Sequence, residues 1–237
     1  MSTPSAVLFD LDGTLLPMDQ DEFAGRYFAL LAQKMAAYGY EPRQLTKAVW
    51  QGTAAMVGND GTRTNEEAFW TVLRGIYGER VSGDLPVFER FYTEEFGQAQ
   101  QCCGFQPLAA GAVRLARRRG CRVALATNPI FPAVATRARI GWAGLTPEDF
   151  DCVTTYETAR YCKPNPAYFR EVAGALGVRP EDCLMIGNDA TEDLAAAGLG
   201  MRVFLVTDCL INREEKDLSA CPHGSFAELR EWMEATL

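Results

Sequence analysis

Hydrophobic and polar positions divide the chain into three textures. The first is a short unbroken apolar run, Ala6, Val7, Leu8 and Phe9, that stops at Asp10. Four apolar residues followed by a turn signal at Gly13 predict a buried strand. The second texture fills residues 17–106, where no strand pattern occurs. Apolar residues there recur at three- and four-residue spacings, as in Phe23, Tyr27, Leu30 and Leu31, and predict helices over 22–38, 42–57, 65–77 and 85–98. Gly39, the Gly58-Asn59-Asp60-Gly61 cluster, Gly78 and Ser82-Gly83 separate them. Asn65, ahead of Glu66 and Glu67, is the expected N-cap of the third helix.

The third texture alternates. Helices are predicted over 107–119, 131–140, 164–176, 192–197 and 225–235. Between them lie strands over 121–126, 152–154, 182–186 and 201–206. Gly120, behind three arginines, and Gly177 stop two of these helices. Strands alternating with helices demand crossover connections, which build a parallel sheet covered on both faces. The predicted fold class is therefore α/β. A core of residues 1–16 and 107–237 is interrupted after its first strand by an all-helical insertion, residues 17–106. Phe69, Trp70, Phe88, Phe91, Tyr92 and Phe96 make the insertion aromatic, and they are read as the core of its helical bundle.

Composition narrows the classes that need considering. At 237 residues, 48% hydrophobic and 23% charged, the chain can build a sizeable core and is not a disordered segment. The formal net charge of −8 argues against nucleic acid and against an anionic membrane as partner. No run of about 18 apolar residues is present. The first residues lack a basic region followed by an apolar stretch, so a cytoplasmic location is expected. None of the eight cysteines forms a CxxC pair, and all are read as reduced, packed side chains. The single histidine, His223, is read as a surface-turn residue, and with no Cys/His cluster a zinc site is not expected.

In an open parallel sheet, ligands bind at the carboxyl ends of the strands. Each predicted strand end carries polar groups. The first ends in Asp10-Leu11-Asp12, the second in Thr127-Asn128 and the fourth in Gly187-Asn188-Asp189, with Asp193 four residues on. Lys163 stands between the third and fourth strands. In an extended chain Asp10 and Asp12 face the same side, and two carboxylates so close call for a hard cation with oxygen ligands, such as Mg2+. Carboxylates, a lysine, a hydroxyl and free N–H groups together suit a phosphoryl group. A carboxylate can itself be the nucleophile.

The same residues resemble the motifs of the haloacid dehalogenase superfamily of aspartate-nucleophile phosphohydrolases. FDLDGTL at 9–15 resembles its first motif, ATN at 126–128 the second, Lys163-Pro164 the third and IGNDATED at 186–193 the fourth. The resemblance implies a Rossmann-like core with a helical cap of the first type. It implies Asp10 as nucleophile and Asp12 as general acid and base, with Gly13 supporting the turn. Thr127, with the Asn128 backbone, would hold the phosphoryl oxygens, and Lys163 would stabilise the nucleophile and the developing charge. Asp189, the Asp10 carboxylate and the Asp12 carbonyl would bind Mg2+, with Asp193 supporting the metal's water shell or Lys163. One departure stands out: Asn188 occupies the position after the motif glycine where many members have Asp, which leaves open whether Asp189 or Asp193 is the direct ligand. The presence of Asp12 favours phosphoryl transfer to water over dehalogenation, and DGT leans away from the phosphomutases. A non-catalytic phosphate-sensing protein and a receiver-type phospho-acceptor are the readings from other classes. The expected partner is a small phosphorylated molecule, contacts to its leaving group are expected from residues 17–23, and the expected state is a monomer or homodimer.

Overall fold

In the computed structural model, which describes residues 3–237, strand β1 (Ala6–Phe9) is buried along its whole length. It lies inside a six-stranded sheet among the described residues. The order is β3 (Cys152–Val153), β2 (Arg122–Leu125), β1, β4 (Cys183–Gly187), β5 (Arg202–Val206) and β6 (His223–Gly224), and every pairing is parallel. Val7 and Phe9 join one hydrophobic cluster while Ala6 and Leu8 join another. Alternate side chains thus leave β1 toward opposite faces, and both faces are covered, which is why the strand reads as uninterrupted apolar sequence.

Helices α1 (Gln20–Ala36), α2 (Pro42–Val57), α3 (Asn65–Tyr77) and α4 (Arg80–Glu94) follow β1, and a 3-10 segment at Phe96–Cys102 closes this run. The remaining helices, α5 (Ala109–Arg118), α6 (Ala133–Trp142), α7 (Pro166–Ala175) and α8 (Phe226–Thr236), cover the sheet. No helix among the described residues is long and apolar enough to cross a membrane.

Several boundaries differ from the sequence expectation. α1 begins at Gln20 because the Asp19 carboxylate accepts from the amides of Asp21 and Glu22 and caps it there. In α3 the cap is Thr64, not Asn65. Thr64 and Glu67 form a capping box, which satisfies two end amides reciprocally and leaves Asn65 inside the helix with a different task. α4 starts five residues early and runs through Ser82-Gly83 and Pro86. Burial of Val81, Val87, Phe88 and Phe91, worth ~1.5–3 kcal/mol each, outweighs the ~3 kcal/mol that an interior proline costs. The expected helix at 192–197 is a 3-10 segment, Leu194–Leu199, because the side chains of Asp189 and Asp193 occupy the turn before it. β6 is two residues long, too short for periodicity to reveal, and His223 within it is exposed. All eight cysteines are free.

Candidate active site

β1 stops at Phe9, so strand alternation does not place the two aspartates. Asp10 follows the strand, its amide donating to the Ile186 carbonyl (2.8 Å), while the Phe9 carbonyl accepts from Ala126 N (2.7 Å). Asp10 therefore sits at the sheet's carboxyl edge, wedged between β2 and β4. Asp12 lies in a tight turn in which Leu16 N donates to Leu11 O and Gly13 N to Leu16 O, both at 2.8 Å. Gly13 has φ +89°, and a Cβ there would collide with the Asn188 amide, so glycine is required twice over.

Lys163 carries the central charge. Its ammonium, 1% exposed, donates to Asp10 Oδ1 (2.8 Å) and Asp193 Oδ1 (2.6 Å). The other Asp193 oxygen accepts from the amides of Asn188 (2.9 Å) and Asp189 (3.0 Å), so Asp193 is spent on holding the lysine and the turn after β4. Gly187 permits that return, since any side chain there would overlap Asp193. Burial pushes the Asp10 carboxyl up to about 7, against the Lys163 ammonium that lowers it; Asp193 and Asp12 add to the rise. Burial alone would lower the Lys163 ammonium, but Asp10 and Asp193 outweigh it and hold its pKa well above the usual range.

The other expected residues lie around this pair. Thr127 is 2% exposed, and its carbonyl accepts from Thr154 Oγ1 (2.6 Å) and Tyr168 OH (2.9 Å), which fixes the backbone while its side chain borders the cavity above Asp10. The Asn128 amide is engaged at both ends, donating to Glu192 Oε2 (3.0 Å) and accepting from Lys163 N (3.2 Å), so only its backbone remains for a ligand. Asp189 uses Oδ1 to accept from Thr191 N and Glu192 N and borders the same cavity as Asp10 and Asp12.

Three participants escaped the sequence reading. Thr14 donates from one hydroxyl placed 3.2 Å from Asp10 Oδ2 and 3.1 Å from Asn188 Oδ1. Glu192, which holds Asn128, has its carboxyl pushed up to about 8, chiefly by burial. Arg139 of α6 is 1% exposed, pairs with Asp12 Oδ2 and lies 4.4 Å from the Phe131 ring centroid. Its signal was an arginine on the buried face of α6, with Ala135 four residues before it.

A divalent cation fits this donor set. Asp10, Asp189 and Asp193 outnumber the single ammonium of Lys163, while Arg139 is matched by Asp12, so the cluster holds more acids than cations. Among the described residues no three His, Cys, Asp or Glu side chains converge as a closed metal cage. Two carboxylates, Asp10 and Asp189, with the Asp12 carbonyl make an open oxygen set, the kind used by a hard cation that keeps waters and substrate oxygens in its shell.

The cavity over these residues has a volume of about 530 Å3. Its walls come from α1, α2, α3 and α4 as well as the core. Phe69, Trp70, Phe88 and Tyr92, expected as bundle core, border it, whereas Phe91 and Phe96 are fully buried as expected.

A family model for haloacid dehalogenase-like hydrolases matches residues 4–200. The chain is 32% identical over 165 residues to phosphoserine phosphatase of Thermus thermophilus, a match spanning 66% of this chain and 64% of that protein. It is 26% identical over 208 residues to phosphoglycolate phosphatase 1 of Pseudomonas aeruginosa, covering 86% of this chain and 70% of the relative. The crystal structure of CbbY from Rhodobacter sphaeroides in complex with phosphate shares the fold, with TM-score 0.59, 22% identity and 96% of each chain covered. The chain belongs to the haloacid dehalogenase-like hydrolases, and within them to the phosphatase-like members.

Proposed function

We propose that the protein is a Mg2+-dependent phosphohydrolase that hydrolyses a phosphate monoester through an aspartyl-phosphate on Asp10. The observation that carries this reading is a carboxylate at the end of the central strand, buried against Lys163 and open on one side to a 530 Å3 cavity. A carboxylate so held attacks phosphorus without first being stripped of ordered water. The ester bond to the leaving oxygen breaks as the Asp10–phosphorus bond forms, and water then attacks phosphorus and returns Asp10.

Asp12 carries the proton in both halves. Its Oδ2 is engaged by Arg139, whereas Oδ1 is buried without a partner, so Oδ1 is the oxygen free to serve the leaving group and then the water. The Thr127 hydroxyl and the backbone N–H of Asn128 bind phosphoryl oxygens, and the Lys163 ammonium offsets the charge that grows on them. Asp193 positions Lys163 and is not a metal ligand in this reading. Asp10, the Asp12 carbonyl and Asp189 hold Mg2+, which when bound neutralises phosphoryl charge. Residues 17–106 form a cap whose helices exclude bulk water from the cavity.

The test is phosphate release from an aryl phosphate with and without Mg2+. Activity is expected only with the metal, is removed by chelation, and is abolished in Asp10→Asn. Metal-independent turnover, or full activity in Asp10→Asn, overturns the mechanism.

A further inference from the structure

The cavity is divided chemically. Its floor holds the carboxylates, Thr127 and Asn128. Its upper walls hold Phe28, Trp50, Phe69, Trp70, Tyr92 and Phe131. The polar groups interspersed with these rings are neutral, and the charged side chains of the rim, Asp21, Arg213 and Glu214, stand apart from them. Tyr27 and Tyr92 hydroxyls bond to one another at 3.0 Å, Tyr156 OH accepts from Trp70 Nε1 at 3.4 Å, and the Thr53 hydroxyl donates to the Val49 carbonyl. Trp50 is 53% exposed, although tryptophan is on average a highly buried residue, and its ring centroid lies 5.2 Å from that of Phe28.

Cations are missing from those walls. Arg213 is the one arginine or lysine bordering the cavity among the described residues; its side chain is 71% exposed and paired with Asp21 at 3.0 Å. Lys163 and Arg139, buried behind the floor carboxylates, are committed to Asp10, Asp193 and Asp12. A leaving group that carries a carboxylate or a second phosphate would enter an apolar chamber over an acidic floor, with no buried partner for its charge. Burying a charge without a partner is costly, whereas a ring placed among rings gains both burial and edge-to-face contacts.

We infer that the substrate is a monophosphate ester of an apolar, ring-bearing alcohol, with the phosphoryl group on the floor and the ring between α1, α2 and α3. This rests on the phosphohydrolase reading above and narrows it. The acidic leaving groups of phosphoglycolate and phosphoserine are excluded by the same walls that accept the ring.

The experiment compares esters of primary alcohols, so that leaving-group reactivity is matched: 2-phenylethyl phosphate, ethyl phosphate and phosphoglycolate. kcat/KM is expected to be at least about 100-fold higher for 2-phenylethyl phosphate than for ethyl phosphate, since a pocket can gain 10- to 200-fold from one methylene alone. Phosphoglycolate is expected to fall below ethyl phosphate. In Trp50→Ala, chosen because an exposed side chain is dispensable for folding, the ratio of 2-phenylethyl to ethyl phosphate is expected to drop about tenfold. A parallel measurement follows the tryptophan fluorescence of Asp10→Asn as 2-phenylethyl phosphate is added; saturable quenching, weaker in the Trp50→Ala background, supports the inferred seat of the ring, and if it occurs with no ester turned over it is the hydrolytic reading that fails. Equal or better turnover of phosphoglycolate, or no quenching by the phenylethyl ester, overturns the inference and leaves the phosphohydrolase reading standing wherever turnover occurs.

Discussion

Replacing Lys163 by Met removes one ammonium from between two carboxylates and leaves the volume nearly unchanged. The side chains of Lys163, Asp10 and Asp193 are 1%, 9% and 1% exposed, so Asp193 has no water to turn to for compensation and Asp10 reaches it only on its cavity side. Removing one partner of a buried pair costs ~3–5 kcal/mol. Asp193 retains two backbone amides and Asp10 the Thr14 hydroxyl, which argues for the middle of that range, ~4 kcal/mol, even though two acids are stranded. For a chain of this size each kcal/mol moves Tm by about 2–4 °C, so a fall of about 8–16 °C is expected at pH 8. The assay is thermal unfolding followed by circular dichroism in a chelator, which prevents a cation from filling the vacated charge. The pH dependence has a definite sign. Asp10 is already held up at about 7 by burial, and loss of Lys163 takes away the main influence lowering it. A carboxyl whose folded pKa is raised stabilises the fold at low pH and loses that contribution as pH rises through the folded value. Because the variant's value lies higher still, the difference from wild type should be smaller in acid and widen as pH rises through about 7. A fall below about 2 °C at pH 8, or a larger gap at pH 5 than at pH 8, would refute the reasoning.

Two further substitutions probe the frame around the site. Asn65 is fully buried; its Oδ1 accepts from Asn59 Nδ2 (2.9 Å) and its Nδ2 donates to the Pro129 carbonyl (3.1 Å), tying α3 to the loop after β2. Asn65→Ala strands the Pro129 carbonyl and takes from Asn59 one of its two acceptors, the Arg63 carbonyl remaining, and at ~1–3 kcal/mol for a buried unsatisfied group a loss of ~1–3 kcal/mol is expected in urea unfolding; an unchanged midpoint would show that α3 and this loop hold together without it. Gly13→Ala meets a left-handed φ of +89° and the Asn188 side chain, which itself donates to Cys209 O at 2.7 Å. A loss of at least ~1–2 kcal/mol is expected from the backbone alone, read as a lowered midpoint at unchanged m-value, together with loss of phosphatase activity; wild-type behaviour would mean that the turn tolerates a side chain.

The order of elements, the parallel sheet and the polar strand ends were legible because each rests on local information. An apolar run buried on both faces looks the same wherever it lies in the sheet, and a strand must be followed by a polar turn where a ligand binds. Asp10, Asp12, Lys163 and the segment at 186–193 could be singled out as a set on that basis. The partners inside the set could not. Lys163 and Asp10 are 153 residues apart, and that Asp193 is held by Lys163 and two amides follows only from the path of the chain after β4.

Arg139 and the aromatic walls show the limit most clearly. An arginine on an apolar helix face carries no mark of the acid it will meet, since Asp12 lies 127 residues earlier and reaches it only through the packing of α6 against the turn after β1. An aromatic residue at helical spacing obeys the same pattern whether it faces another helix or an empty volume. Sequence periodicity determined which faces of α1 to α4 are apolar; the way those helices stand over the strand ends decided that some of that apolar surface closes a core at Phe91 and Phe96 and some, at Phe69, Trp70 and Tyr92, lines a cavity. Periodicity reports which side chains avoid water, and only the tertiary arrangement fixes what they touch instead.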